Sequence, residues 1–428
     1  MRLYNVMEPK RTPPLLRAWM LFTWCFAFLI SVVSWALHRR MGADPKRFSE
    51  RLGRGAPQSK DTVVWFHAAS LGEVMQIAPL AQHLAQSEQT QVLVTTTTAT
   101  GADWVAKQMP FATHRFAPID TPAAIRRFLD GWSISAAIFV EGDLWPRLLE
   151  GLRKRDVPRV LLNARHSRTR ARFPAVFGVL LSGFSVVTCR SEPVAKGMLA
   201  LGLSADNVHV MPDLRLTVPK LAVSSDALST LTRAVGTRPV WLAASTHPAD
   251  EEAVLTAQQT VLEVCPDALL ILAPRHPNRA LPLLKQAESL AFGTAQRSLG
   301  QGVSDATQIY IADTFGELGT FFKLAPIAFL GGSFGQEGGH NPYEPAHFET
   351  AIAHGPHVKN FADAYEALRL REAAVQVQGP EGLGQVIVGL LQDDQAKAMG
   401  QAGLAFVENA KQGTLSYANL IATVLKRT

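Results

Sequence analysis

From Thr62 onward, short apolar runs alternate with stretches whose apolar positions recur at helical spacing. The runs are VVWFHA (63–68), QVLVTTTT (91–98), AAIFVEG (136–142), RVLLNAR (159–165), SVVTCR (185–190) and VHVMP (208–212). A polar stretch, LTVPKLAVSSDALST, interrupts the series. Alternation restarts with PVWLAAS (239–245), ALLILAPR (268–275), IYIAD (309–313), IAFLGGS (327–333) and AVQVQ (374–378). Strands that read as near-continuous Val/Ile/Leu runs, separated by helix-length segments, predict parallel sheets covered on both faces. The fold class is α/β, with two Rossmann-like, doubly wound domains facing a cleft. The expected domains are residues 55–212 and 237–428, joined by a linker over 213–236.

The N-terminal segment has a different pattern. Ala18–Leu37 reads AWMLFTWCFAFLISVVSWAL, with no charge. As one helix it would be about 30 Å long, enough to span a bilayer core. Trp19 and Trp35 sit near its ends, where interfacial aromatics belong. The run is too long for a signal-peptide core, and no small-x-small cleavage site follows. Arg39, Arg40, Lys46, Arg47, Arg51 and Arg54 follow it; Arg2, Lys10, Arg11 and Arg17 precede it. That excess places the main domains on the cytoplasmic side. A helix lying in the interface, its basic flanks on anionic lipid, is the other reading. Residues 1–54 are thus assigned as a membrane anchor with a basic flank.

Charge agrees with this division. Residues 1–54 carry ten Lys/Arg against three Asp/Glu, and the rest of the chain carries 32 against 33. The globular part is neutral, which argues against a nucleic-acid partner. At 428 residues, 47% apolar and 18% charged, the chain is long enough for two to three domains and too apolar for disorder. Cys25, Cys189 and Cys265 form neither a disulfide framework nor a metal spacing.

In open parallel sheets, ligands bind beyond the carboxyl ends of the strands. Polar residues gather there. HAASLGE (67–73) places Ser70 at a strand-to-helix turn and Glu73 in the first helical turn. A carboxylate there suits the helix dipole, and it also suits a general base at a cleft mouth. EGDLWPR (141–147) sets Glu141 and Asp143 after a strand, either as a metal-type acidic pair or with Asp143 capping a helix opened by Pro146. ASTHPADEE (244–252) opens a helix behind Ser245 and Thr246, and its free N–H groups could hold a phosphate. PRHP (274–277) offers Arg275 and His276 for phosphate recognition or a surface ion pair. GGSFGQEGGHNPYEP (331–345) combines flexible glycines with Gly332, Ser333, His340, Asn341 and Glu344. No His-Glu-x-x-His, G-x-S-x-G or Cys pair occurs, which disfavours a metalloprotease, an α/β-hydrolase and a zinc protein, and the glycine stretch is neither G-x-G-x-x-G nor a P-loop.

Taken in order, WFHAASLGEV, TTTTATGAD, EGDLWP, LLNARHS, ASTHPADEE, LAPRHP, DTFGELG and GGSFGQEGGHNPYEPA resemble the bacterial 3-deoxy-D-manno-octulosonic acid (Kdo) transferases, as does SERLGR beside the anchor. The resemblance covers essentially the whole chain. It implies a GT-B fold and inverting transfer of Kdo from CMP-Kdo to a lipid A precursor. It places the enzyme at the cytoplasmic face of the bacterial inner membrane, in lipopolysaccharide synthesis, with no metal or other cofactor. It puts the general base on Glu73 and a second functional acid on Asp143, with Glu141 beside it. It puts Arg275 on the CMP phosphate, Asn341 and Glu344 on the nucleotide, and Ser245 and Thr246 near the donor. By fold analogy, a helix around Asp394–Leu425 would pack back across the domains.

Three departures from the family pattern stand out. Asp143 replaces Glu, Arg147 replaces Asn, and Pro212-Asp213-Leu214-Arg215 replaces Gly-Asn-Leu-Lys. They leave two alternatives open: a GT-B enzyme with another sugar nucleotide, and an inactive anchored paralogue that binds or scaffolds.

Overall fold

A computed structural model describes residues 12–426, apart from 58–60, 88–89, 166, 219 and 410–411. Arg2, Lys10 and Arg11 of the basic flank, and His166 of the LLNARHS motif, lie outside the described residues. The chain divides into two compact units: Met1–Pro219 with Lys411–Thr428, and Lys220–Ala410.

The first unit holds a seven-stranded parallel sheet. Its strands are β1 (Thr62–His67), β2 (Gln91–Thr96), β3 (Ala112–Phe116), β4 (Ser133–Val140), β5 (Arg159–Ala164), β6 (Val186–Cys189) and β7 (Val208–Val210). They run in the order β3-β2-β1-β4-β5-β6-β7. Strand β1 is central, with Phe66 in register with Val94 and Ile138. Alternate side chains feed the two faces. Val63 and Trp65 join Phe128, Leu149 and Leu161 on one face. Val64 and Phe66 join Ile77, Leu80 and Leu162 on the other.

The second unit repeats the architecture. Its strands are β8 (Val240–Thr246), β9 (Leu269–Pro274), β10 (Thr294–Gln296), β11 (Ile309–Ile311), β12 (Ile327–Leu330), β13 (Ala351–His354) and β14 (Ala374–Gln376). The order is β10-β11-β9-β8-β12-β13-β14, again with every pairing parallel. Strand order reverses between β1 and β4 in one sheet, and between β8 and β12 in the other. Those two points are where side loops part and leave room for a ligand.

Four expectations need correction. Strands β3, β10 and β13 carry no apolar run in the sequence. ATHRF and TAQ are polar sheet-edge strands, and AIAH is short and alanine-rich. Residues 213–236 are not a linker: Asp213, Leu214 and Arg215 are buried in the first unit, and Ser225–Val235 is a helix of the second. The C-terminal helix is two helices, Gln395–Asn409 and Gln412–Leu425. The latter belongs to the first unit, because its apolar face (Tyr417, Ala418, Ile421, Val424) completes the core around Ile77, Leu80 and Leu84.

The fourth correction concerns the apolar N-terminal run. It forms two helices, Pro14–Cys25 and Ala27–Arg40, bent by 80°. Among the described residues, no single helix is long and apolar enough to cross a membrane. Tertiary contacts account for the break. Leu16, Trp19, Met20 and Thr23, one face of the first helix, meet the body of the unit. Leu16 is buried there, and Trp19 Nε1 donates to Asp120 Oδ2 at 2.7 Å. Arg147 Nε donates to Thr23 Oγ1 at 2.5 Å, and its Nη2 donates to the Met20 carbonyl. The second helix ends on buried His38, whose Nδ1 accepts from Arg51 Nε at 2.9 Å.

Candidate active site

In the first unit the strand-order reversal brings together the loop after β1 and the loop after β4. The β1 loop turns into the helix Leu71–Ser87 and sets Glu73 in its first turn, as the sequence implied. The Ala69 N–H donates to Glu73 Oε2 at 2.7 Å, and Ser70 Oγ lies 3.4 Å from Oε1 as a donor. Despite these bonds, burial pushes the Glu73 carboxyl up to about 7, and the charges of Glu141 and Asp143 add to the rise.

Asp143 is not a helix cap. The helix Pro146–Arg153 takes its cap from outside, where Asp120 accepts from the N–H groups of Arg147 (3.2 Å) and Leu148 (3.0 Å). Asp143 instead turns toward β1, its Oδ2 3.1 Å from His67 Nε2. Burial raises the Asp143 carboxyl. The hydrogen bond and charge of His67, with the nearby Trp145 indole, outweigh burial and hold it below the usual range. Behind His67, Thr95 Oγ1 accepts from Trp65 Nε1 at 2.8 Å and meets His67 Nδ1 at 2.9 Å. A proton on His67 Nε2 completes the chain: Trp65 Nε1–H donates to Thr95 Oγ1, and Nε2–H donates to Asp143. Two neighbouring acids are thus driven apart, one to hold a proton near neutrality and one to stay ionised.

Glu141 is buried, with left-handed backbone (φ 53°). It accepts from Gln76 Nε2 at 3.2 Å and pairs with Arg165 Nη1 at 3.3 Å. Gln76 continues to Asn163, whose Nδ2 donates to Gln76 Oε1 and Asp213 Oδ1, both at 3.0 Å. The Arg215 guanidinium closes on Asp213 at 2.6 Å, with both side chains buried. The departure at 212–215 thus sets a buried acid against a buried guanidinium, and the two neutralise each other. Glu141, Gln76 and Asn163 shape the floor rather than present a free functional group.

In the second unit, the reversal between β8 and β12 brings Ser245 (φ 55°) and Thr246 beside Gly331 and Gly332. A Cβ on Gly331 would lie 2.6 Å from the Ser245 carbonyl, so only glycine allows this approach. Thr246 Oγ1 is buried without a hydrogen-bond partner. His340 Nε2 lies 3.0 Å from His247 Nε2, the rings stacked at 5.2 Å. Burial, with the nearby His247, Arg275 and His276, lowers the His340 imidazole to about 4. Asn341 Oδ1 accepts from the Tyr343 N–H at 3.1 Å, and its Nδ2 approaches Glu344 Oε1 at 3.4 Å. Burial pushes the Glu344 carboxyl up to about 7, against the opposing effects of Asn341 and the Arg275 charge. Arg275 and His276 are exposed at the end of β9. Ser245, Thr246, Arg275, His276, His340, Asn341 and Glu344 therefore share one end of one sheet.

Gly332 and Ser333 do not offer their amides to a ligand. Asp250, fully buried, accepts from Gly332 N (2.7 Å), Ser333 N (3.3 Å), Phe334 N (3.0 Å) and His247 N (2.9 Å). Ser333 Oγ donates to the Leu330 carbonyl at 2.6 Å and accepts from Gly355 N at 2.9 Å. The residue before the helix Pro248–Val264 and the glycine loop are held together by an internal carboxylate, which takes the glycine-loop amides. The sequence reading missed Asp250, His67 and Gln76 as organisers. The spacing of Asp250 three residues after His247 is a capping signal that could have found it. Among the described residues, no group of three His, Cys, Asp or Glu side chains could hold a metal ion.

The family model for 3-deoxy-D-manno-octulosonic-acid transferases (kdotransferases) matches residues 46–218. A 3-deoxy-D-manno-octulosonic acid transferase of Rickettsia typhi is 34% identical over 85% of this chain and 80% of its own. That of Haemophilus influenzae is 29% identical over 94% of this chain and 95% of its own. Among solved structures, a glycosyltransferase from Rickettsia africae is alike in fold, with TM-score 0.58 and 13% identity over 86% of this chain and all of that one (100%).

Proposed function

Because the chain belongs to the 3-deoxy-D-manno-octulosonic acid transferases, glycosyltransferases of α/β GT-B-like fold, we propose that it moves Kdo from CMP-Kdo to a lipid A precursor with Glu73 as general base. The observation that carries the mechanism is the split between Glu73, pushed up to about 7, and Asp143, held low by His67. A base that is half ionised near neutral pH combines a usable population with real proton affinity.

In this reading the Glu73 carboxylate takes the proton from the acceptor hydroxyl. The freed oxygen attacks the anomeric carbon of Kdo. The bond from that carbon to the CMP phosphate breaks, its electron pair goes to the phosphate oxygen, and the anomeric centre inverts. Arg275, an exposed guanidinium at the end of β9, stabilises the charge that gathers on the leaving phosphate. Asn341 and Glu344 take the nucleotide, with Glu344 on ribose hydroxyls. Ser245, Thr246, His276 and His340 line the same end of the sheet. Asp143 stays ionised and fixes the β4 loop through His67 and Trp145. The apolar helix pair and the basic residues beside it hold the enzyme on the cytoplasmic face of the inner membrane, where the lipid acceptor is found.

The test is a transfer assay with detergent-solubilised protein, CMP-Kdo and a tetra-acylated lipid A precursor, read by mass spectrometry. A product heavier by one or more Kdo units is expected. Glu73→Gln should lower the rate about 10²- to 10⁴-fold. An unchanged rate would remove Glu73 from the mechanism, and preference for a UDP- or GDP-sugar would overturn the donor.

A further inference from the structure

The bent N-terminal helices leave a large apolar surface bare. Phe28 is 84% exposed, Trp24 66%, Leu21 62% and Leu29 55%. Isolated exposed apolar residues are ordinary, but a continuous face of this kind marks a contact surface. Its polar border is basic: Arg17, Arg39, Arg40 and Lys46 are all exposed, and the Arg39 guanidinium lies 5.1 Å from the Trp35 ring. Apolar area edged by cations and tryptophan fits the interface of an anionic bilayer, where burial and charge attraction add.

The geometry also says how the segment meets the lipid. Both helices are fastened to the same unit. The first is held along one face, by Trp19 on Asp120 and by Arg147 on Thr23 and the Met20 carbonyl. The second is held at its far end, where His38 Nε2 lies 2.8 Å from the Asp44 carbonyl and Nδ1 accepts from Arg51. At 12 and 14 residues the helices are about 18 and 21 Å long, short of the ~30 Å hydrocarbon core. A segment tied to one body at both ends enters and leaves on one side.

Building on the membrane reading above, we infer that residues 14–40 lie in one leaflet of an anionic bilayer without crossing it, clamped to the catalytic unit by Arg147 and Asp120. The clamp has a chemical result. Trp19 packs against Trp145 at 6.1 Å, and Trp145 stands two residues after Asp143 in the loop between β4 and the helix Pro146–Arg153. The lipid surface therefore comes up to the loop that carries Asp143, and a lipid-borne acceptor meets that loop without leaving the membrane.

Thr12→Cys, in a chain with Cys25→Ser and Cys265→Ser, tests this with a membrane-impermeant maleimide. The expected result is labelling in inverted inner-membrane vesicles and none in intact spheroplasts. Labelling in spheroplasts but not in inverted vesicles would overturn the inference, since the segment would then span, while leaving membrane attachment intact. A chain that neither pellets with membranes nor binds phosphatidylglycerol vesicles would overturn the inference and the membrane reading together. In vesicle binding, Phe28→Asp should weaken affinity about tenfold or more, and Arg39→Glu about fivefold in phosphatidylglycerol but not phosphatidylcholine vesicles. Both sites are exposed, so an unchanged melting temperature separates these losses from misfolding. Equal affinity for both lipids in wild type would overturn the anionic preference.

Discussion

His67 Nε2 meets Asp143 Oδ2 at 3.1 Å, and this contact helps to hold the Asp143 carboxyl low while burial pushes that of neighbouring Glu73 up. His67→Ala should raise the Asp143 carboxyl, because burial would then act with less opposition. The expected outcome is at least about a tenfold loss in turnover. His67→Gln keeps a donor and should lose less. Initial rates across pH for both variants check this, and equal losses would show that the ring's donor is not what matters.

The raised Glu73 carboxyl has consequences for rate and for stability. As a base it must be ionised, so kcat/KM should climb with pH and level off above about 7. The stability effect has the opposite sense. Between the ordinary value of 4.5 and the folded value of about 7, the native state binds more protons than the unfolded one. Stability therefore falls as pH rises through that window. Glu73→Gln removes this loss, so its melting temperature should exceed that of wild type at pH 8 and converge with it near pH 4. Parallel melting curves across the window would refute the raised value.

Asp250 supports the second unit's glycine loop through four backbone N–H groups. Asp250→Ala leaves buried amides unpaired and should cost about 3 kcal/mol or more. Asp250→Asn retains an acceptor oxygen and should cost less. Denaturant unfolding measures both, and a neutral Asp250→Ala would mean the loop finds other partners.

Asp213 and Arg215 form a buried pair, so single changes should hurt more than a matched one. Asp213→Ala takes the carboxylate away from a buried guanidinium and should cost about 3–5 kcal/mol. Asp213→Asn with Arg215→Met leaves neither charge buried and should recover most of that stability. A double-mutant cycle showing additivity would contradict the coupling.

Asp120 joins a helix cap to the Trp19 tether. Asp120→Ala loses both and should cost about 2–3 kcal/mol, against about 1 kcal/mol for Trp19→Phe. Thermal unfolding checks the ranking, and equal costs would mean that the cap contributes little.

The apolar runs made most of the fold legible, because a strand buried on both faces must be apolar at every position. Strands such as ATHRF and AIAH escaped because position in the sheet, not composition, makes them strands. The positions of Glu73 and Glu344 in first helical turns were legible because helix starts have local signatures. His67 was not, since a side chain that braces another loop has no mark in its own neighbourhood, and Asp250 showed only as a helix-capping acid, not as the brace of a loop some eighty residues away. The 80° break at Phe26 was also hidden. Nothing near Phe26 breaks a helix; the contacts that fasten the first helix run to Asp120 and Arg147, about a hundred residues or more along the chain.

The return of the helix Gln412–Leu425 to the first unit makes the second unit an insertion within the first. Tyr417 OH donates to the Pro212 carbonyl at 2.7 Å, closing a loop of some two hundred residues. A ribosome therefore completes Lys220–Ala410 before the first unit has its last core helix. During synthesis the second unit can finish folding while Ile77, Leu80 and Leu84 still wait for their cover. A transcript cut short after residue 410 would yield a finished second unit joined to an open, chaperone-dependent first one.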